Sequence, residues 1–233
     1  ARLDKPVGIW LLFLPCCFGL ALAKSTDLYM YLLFGIGAIA MRSAGCAIND
    51  IVDKNFDAKV ERTKNRPIAS GEISVLNALI FIALLLGIGL LVLLQLPWAA
   101  IKLGLLATPL IIAYPFMKRI TYWPQLFLGI TFNFGVLIAY VTISQALSPF
   151  ALMLYFGCIF WTLGYDTIYA HQDKKDDIKI GVKSTALALG ENTKLAVGVF
   201  YTLFLAAIFF SNQTLSSFNL LALILLGFHN LWQ

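Results

Sequence analysis

Residues 28–57 read LYMYLLFGIGAIAMRSAGCAINDIVDKNFD. The first part of this stretch, 28–48, is almost wholly apolar and long enough to cross a bilayer, since a helix needs about 20 such residues to span the hydrocarbon. It then runs straight into Asn49, Asp50, Asp53 and Asp57. One charge, Arg42, lies inside the apolar part. A membrane helix that delivers acids to the interface sets the fold class: an all-α, polytopic transmembrane bundle.

Composition agrees. The 233 residues are 60% hydrophobic and 12% charged, about half the roughly 25% charge of ordinary globular domains. Charges and turn residues cut the chain into about eight apolar runs: 6–23, 28–48, 75–94, 98–117, 122–141, 149–169, 195–210 and 218–233. Two long polar stretches, 49–74 and 170–191, interrupt them. The first run is too long for the apolar region of a secretory signal and lacks a cleavage site, so it reads as a retained span. The last stops at Gln233 with no flanking charge, as expected of a chain shortened at its C-terminal end. Residues 1–233 are expected to form a single domain. Cys16, Cys17, Cys46 and Cys158 all lie in apolar runs without CxxC spacing, and are expected to be buried, inert thiols.

The net charge of +5 does not point to nucleic acid, because its distribution follows the spans. Threading them alternately puts 1–5, 49–74, 118–121 and 170–194 on one side. Counting Arg42, which lies toward that end of its span, all of the 17 Lys and Arg but Lys24 and Lys102 fall there. Basic loops of this kind stay on the cytoplasmic side. Of the 12 Asp and Glu, only Asp27 falls on the far side. Acids contribute little to topology, so their segregation needs another cause.

Two clusters carry most of these acids. On a continuous helix, Asp50, Asp53 and Asp57 would lie within about 60° of one another, with Asn49 at the edge of the arc. The second group is Asp166, Asp173, Asp176 and Asp177. If the helix continues through it, Asp166, Asp173 and Asp177 share a face. Acids one turn apart repel, and acids near the membrane are costly. A shared divalent cation removes both objections. Carboxylates with an amide oxygen suit Mg²⁺, which takes substrate phosphate oxygens as further ligands, and no Cys/His set exists for a softer metal. A solvated helix exit accounts for one cluster, but poorly for two in matched positions. Arg62, Lys64 and Arg66, Lys118 and Arg119, and Lys174, Lys175 and Lys179 lie beside the acids. Carboxylates for metal with cations for phosphate oxygens are the ingredients of a diphosphate site. Arg42 either faces a cavity or partner inside the bundle or snorkels to the interface.

With these residues in hand, the chain resembles the membrane-embedded aromatic prenyltransferases of the UbiA superfamily, and within it the 4-hydroxybenzoate polyprenyltransferase branch of ubiquinone biosynthesis. The pattern NDxxDxxxD stands at 49–57, DxxxD at 173–177 and YxxxK as Tyr114-Pro-Phe-Met-Lys118. The strings RSAGCAIND (42–50), RTKNRPIASG (62–71) and GYDTIYA (164–170) resemble that branch in particular. The resemblance implies nine transmembrane helices around a central cavity capped by cytoplasmic loops, against eight runs here. It implies transfer of a polyprenyl group from its diphosphate to the ring carbon ortho to the hydroxyl of 4-hydroxybenzoate. In that picture Asn49, Asp50, Asp53, Asp57, Asp173 and Asp177 hold one or two Mg²⁺ ions. Lys118, Arg62, Arg66, Tyr114 and Lys174 hold the diphosphate. Arg119, with Arg42 as second candidate, faces the acceptor carboxylate, and Asp166 or Asp173 orients the phenol or takes the ring proton. His171 reads as a loop histidine, and His229 is given no role.

The partners implied are the two substrates and the lipid bilayer, with no nucleic acid. The implied location is a bacterial or mitochondrial inner membrane, with the site facing cytoplasm or matrix. Another aromatic or tetrapyrrole acceptor is the nearest competing reading. A cation transporter is a remote one, since transport sites lie near the midplane and these clusters lie at one face.

Overall fold

The computed structural model describes residues 3, 4, 6–58, 60, 61, 63–211 and 227. The expected run 218–233 therefore lies outside the described residues except for residue 227, as do Arg2, Lys5, Lys59 and Arg62. Among the described residues every regular element is a helix. In chain order they are α1 (Val7–Leu22), α2 (Leu28–Val52), α3 (Lys54–Asp57), α4 (Val75–Leu94) and α5 (Trp98–Ala113). After a 3₁₀ turn at Tyr114–Phe116 come α6 (Met117–Ile120), α7 (Pro124–Phe132), α8 (Phe134–Ser144) and α9 (Pro149–Ala170). The chain continues with α10 (Lys174–Ile180), α11 (Thr185–Leu189) and α12 (Thr193–Ser211).

Six helical stretches are long and apolar enough to cross a membrane: Leu28–Val52, Val75–Leu94, Trp98–Ile120, Pro124–Ser144, Pro149–Ala170 and Thr185–Ser211. Helix α1 is apolar but has 16 residues. At about 1.5 Å per residue it falls short of a hydrocarbon core of about 30 Å. The molecule is a multi-pass membrane protein. Its outward surface suits lipid: on α4 alone, Leu76, Leu84 and Leu91 are about two-thirds exposed, at 67%, 65% and 65%.

Because lipid tails are as apolar as leucine, membrane helices associate through close packing rather than hydrophobic exclusion. The bundle does this with small residues. Helix α1 packs on α8 and α2, and α9 packs most extensively on α12. A Cβ added at Gly19 of α1 would lie 2.3 Å from the Val136 carbonyl oxygen of α8. That neighbour is backbone and cannot rotate away. Gly19→Ala is therefore expected to lower stability by about 1–3 kcal/mol, the usual cost of overpacking, read as an earlier thermal unfolding midpoint in detergent.

The expected fifth run is one span bent at Asn133, where α7 gives way to α8. The Asn133 side chain donates to Gly129 O (2.7 Å), Cys158 O (3.0 Å) and Thr162 Oγ1 (2.8 Å). A buried amide thus ties the bend to α9, the kind of cause helix kinks require.

The second acidic segment does not continue α9. The chain turns at 171–173, where His171, Gln172 and Asp173 donate their N–H groups to Ile168 O, Tyr169 O and Ala170 O. These bonds reach back three residues and tighten the last turn, and α10 then starts afresh at Lys174. The expected common face of Asp166, Asp173 and Asp177 is thereby broken: Asp166 remains within the span, while Asp173 and Asp177 belong to the loop helix. The first cluster also bends. Helix α2 ends at Val52, and Asp53 sits at the junction with φ −96° and ψ 4°.

Candidate active site at the polar end of the bundle

Helix α2 brings Asp50 and Asp53 to its C-terminal end, where the macrodipole is negative and acids are disfavoured. Cations from elsewhere in the chain meet them. The segment after α3 folds back through Thr63, whose hydroxyl donates to Asp57 O at 3.0 Å, and through buried Ile68. This return carries Arg66 to the acids. Its Nη1 donates to Asp57 Oδ2 at 2.7 Å and to Asp50 Oδ1 at 3.3 Å. From the end of the α5 span, Lys118 Nζ donates to Asp53 Oδ2. Arg119 Nη2 donates to Val52 O at 3.0 Å and to Asp53 Oδ1 at 3.4 Å, with its guanidinium 5.1 Å from the centre of the Phe56 ring. Asp53 and Asp57 are 7% and 8% exposed, so these pairs are not loose surface contacts.

Burial pushes the Asp57 carboxyl above the usual carboxylate range; Arg66 pulls it back, and Asp53 and Asp50 push it up again. A second cation at this point would favour the ionised form.

The donor set fits a hard divalent ion. Asp50 and Asp57 converge on one nitrogen of Arg66, which marks a position where positive charge is held between two carboxylates. Among the described residues no three His, Cys, Asp or Glu side chains already form a metal cage. Mg²⁺ does not need one, because it is commonly held by one or two carboxylates with water and phosphate oxygens completing the shell. Asn49 is half-buried on the last turn of α2, and its backbone oxygen accepts from Asp53 N at 2.8 Å.

The second polar segment reaches the same end of the bundle. Lys183 N donates to Lys118 O at 2.9 Å. Val182 N donates to Asp177 O at 3.0 Å, and Asp173 O accepts from Asp177 N at 2.9 Å. The backbone thus runs without a gap from the Asp173–Asp177 turn to the residue that pairs with Asp53. Lys174 opens α10 immediately after Asp173.

Deeper in the bundle lies a smaller polar group. The Arg42 side chain occupies the space beside Gly8 of α1, and its guanidinium is 5.6 Å from the centre of the Phe132 ring. Tyr165 and Asp166 lie half-buried on α9, and Tyr114 half-buried at the end of α5. Arg42 therefore faces inward, away from lipid. Trp161 packs edge-on against Tyr165 at 5.2 Å between centroids. His171 stays in the loop, with Nε2 3.2 Å from Thr193 Oγ1. Arg62 lies outside the described residues.

Sequence reading named the acids and bases of the mouth but not their pairing. It did not find the Lys183–Lys118 link or the contact between the Thr167 and Thr185 hydroxyls. These join residues far apart in the chain, and no local pattern announces them.

A multi-span helical bundle with carboxylates and cations gathered at one end defines a membrane protein with a charged, polar end over an apolar interior. Comparison with known proteins makes the class specific: residues 12–233 match the UbiA prenyltransferase family, and the chain belongs to that family. The mitochondrial 4-hydroxybenzoate polyprenyltransferase of Drosophila pseudoobscura pseudoobscura is 54% identical over 199 residues, covering 83% of this chain and 50% of that protein. Its Homo sapiens counterpart is 54% identical over 198 residues, covering 83% and 53%. The chain spans about half the length of these relatives. Among solved structures, the apo UbiA homolog from Aeropyrum pernix K1 superposes with a TM-score of 0.80 at 27% identity, covering 97% of this chain and 85% of that one. The UbiA homolog from Archaeoglobus fulgidus bound to DMAPP and Mg²⁺ shares the fold with a TM-score of 0.75 at 19% identity, covering 99% and 83%.

Proposed function

We propose that this protein transfers a polyprenyl group from its diphosphate to 4-hydroxybenzoate, ortho to the hydroxyl, in a Mg²⁺-dependent reaction of ubiquinone biosynthesis. The observation that carries the reading is the pairing of Asp50 and Asp57 with Arg66, and of Asp53 with Lys118 and Arg119, at the mouth of an apolar bundle. The relatives named for 4-hydroxybenzoate prenylation and the homolog bound to DMAPP and Mg²⁺ support it.

Mg²⁺ held by Asn49, Asp50, Asp53, Asp57, Asp173 and Asp177 would supply charge to stabilise the departing diphosphate. The chain's own cations act on the same oxygens. Lys118 and Arg66, with Lys174, Arg62 and the Tyr114 hydroxyl, hold the diphosphate and stabilise charge that grows as its C–O bond breaks. The electron pair leaves with diphosphate, and the allylic carbon becomes electron-poor. The Phe132 ring lies against Arg42 and Trp161 packs edge-on against Tyr165; aromatic rings of this kind favour a cation and exclude water. The ring carbon ortho to the acceptor hydroxyl forms the new bond, and its proton passes to Asp166 or Asp173. Arg119, expected from the resemblance to face the acceptor carboxylate, is braced on Asp53, and we assign it to the headgroup side instead. Arg42, whose guanidinium lies against the Phe132 ring, serves the acceptor carboxylate. The prenyl tail extends through the bundle toward lipid. We place the protein in a bacterial or mitochondrial inner membrane with the mouth toward cytoplasm or matrix.

The decisive assay pairs a panel of aromatic acids with prenyl diphosphates in membranes carrying the protein, with and without Mg²⁺. A product whose mass equals 4-hydroxybenzoate plus the prenyl group less one proton, formed only with Mg²⁺, is expected. Preference for a different aromatic acceptor would reject the substrate, and metal-independent transfer would reject the metal site. Arg42→Met is expected to raise the acceptor KM roughly tenfold or more, the cost of losing a charged hydrogen bond, while the donor KM stays within twofold. A change confined to the donor KM would remove Arg42 from the acceptor site.

A further inference from the structure

Residues 181–185 form a strap between the two acidic segments, and its contacts go beyond those the chain needs to cross from α10 to α11. Gly181 closes α10 in the left-handed region, with φ +73°, which turns the chain back so that Val182 N reaches Asp177 O at 3.0 Å. Lys183 then binds α6 twice: its backbone N–H donates to Lys118 O at 2.9 Å and its ammonium to Ile120 O at 3.0 Å. The last carbonyls of a helix lack partners within it and favour a cation, and α6 has only the four residues Met117–Ile120. The Lys183 ammonium also lies 5.3 Å from the centre of the Tyr122 ring. Beyond it the strap is buried. Thr185 N donates to Gln125 Oε1 at 3.0 Å, and the Thr185 and Thr167 hydroxyls meet at 2.7 Å, both residues being fully buried.

These contacts complete one path. Asp177 is bonded to Val182, its neighbour Lys183 to α6, and Lys118 of α6 to Asp53. We propose that Lys183 is a positioning residue that holds the Asp173–Asp177 segment in register with Lys118 and Asp53, so that the two acidic segments and the cation between them act on one diphosphate. The inference rests on the mouth being a Mg²⁺–diphosphate site. Lys183 reaches the reacting groups only through the α6 backbone.

The test is calorimetric titration of the detergent-solubilised protein with inorganic diphosphate in the presence of Mg²⁺, together with donor and acceptor KM values. Lys183→Met keeps the alkyl stem and the backbone N–H but removes the ammonium. It is expected to weaken Mg²⁺-dependent diphosphate binding roughly tenfold, the loss of one charged hydrogen bond, with the acceptor KM unchanged, and Lys183→Arg is expected to restore most of it. Should Lys183→Met fail to fold, Gly181→Ala loosens the strap from its other end. The added Cβ meets nothing within 4 Å, so it acts through backbone strain alone, and the same selective loss is expected. Unaltered diphosphate affinity in a folded variant of either kind would overturn the proposal, as would equal losses toward donor and acceptor. A wild-type protein that binds diphosphate with Mg²⁺ but transfers no prenyl group would reject the activity while leaving the strap open to judgement by binding. One that binds no diphosphate would reject both.

Discussion

Asp53→Asn should reduce Mg²⁺-dependent prenyl transfer by at least about 100-fold, beyond the range lost when only a supporting neighbour of a metal ligand is removed. The expected size follows from position. Asp53 is the acid at the bend after α2, 7% exposed, and it receives both Lys118 and Arg119. The amide keeps the shape but removes the charge, so one change weakens a metal ligand and releases the cations around it. Initial rates against Mg²⁺ concentration, with thermal unfolding as a control for folding, are the measurement. Turnover within a few-fold of wild type in a folded Asp53→Asn protein would exclude this carboxylate from the site.

The second large effect concerns order of binding. At the mouth the carboxylates assigned to metal and the cations assigned to diphosphate hold one another. Either ligand alone must break these pairs and leave their partners, among them the buried Asp53 and Asp57, without a counter-charge, which is expensive. Mg²⁺ and diphosphate together exchange every old pair for a new one. Inorganic diphosphate is therefore expected to bind on the order of 100-fold more tightly when Mg²⁺ is saturating, near the upper range of ordinary coupling between sites, and Mg²⁺ to gain by the same factor. Calorimetry with each ligand in the presence and absence of the other measures both. Independent affinities would show that the observed pairs do not resist ligand entry.

Much of this architecture is readable from the residues because membrane chemistry punishes the alternatives. A run such as 75–94 has no soluble use, and α4 occupies that interval. Acids at the end of 28–48 could be singled out because neither topology nor helix stability wants them there. Their electrostatic partners were not readable. Arg66 meets Asp57 across a loop whose path depends on Thr63 and Ile68, and Lys118 meets Asp53 from a span 65 residues later in the chain. Extending α9 through Asp173 followed helical periodicity where the Ile168, Tyr169 and Ala170 carbonyls instead close a tight turn. The bend at Asn133 was hidden for a similar reason. An apolar run reads as one helix whether or not a buried amide, bonded to a neighbouring span, divides it.

The paired mouth also bears on the protein's surroundings. A cluster of bare Lys and Arg at a membrane surface attracts anionic lipids, which are abundant and always adjacent. Here Arg66, Lys118 and Arg119 are already engaged, so a lone phospholipid headgroup gains little by entering. What can enter at low cost is an anion that brings its own divalent counter-ion. On the proposed function, the mouth would thus discriminate against the commonest phosphate esters in its neighbourhood without needing any contact that recognises them.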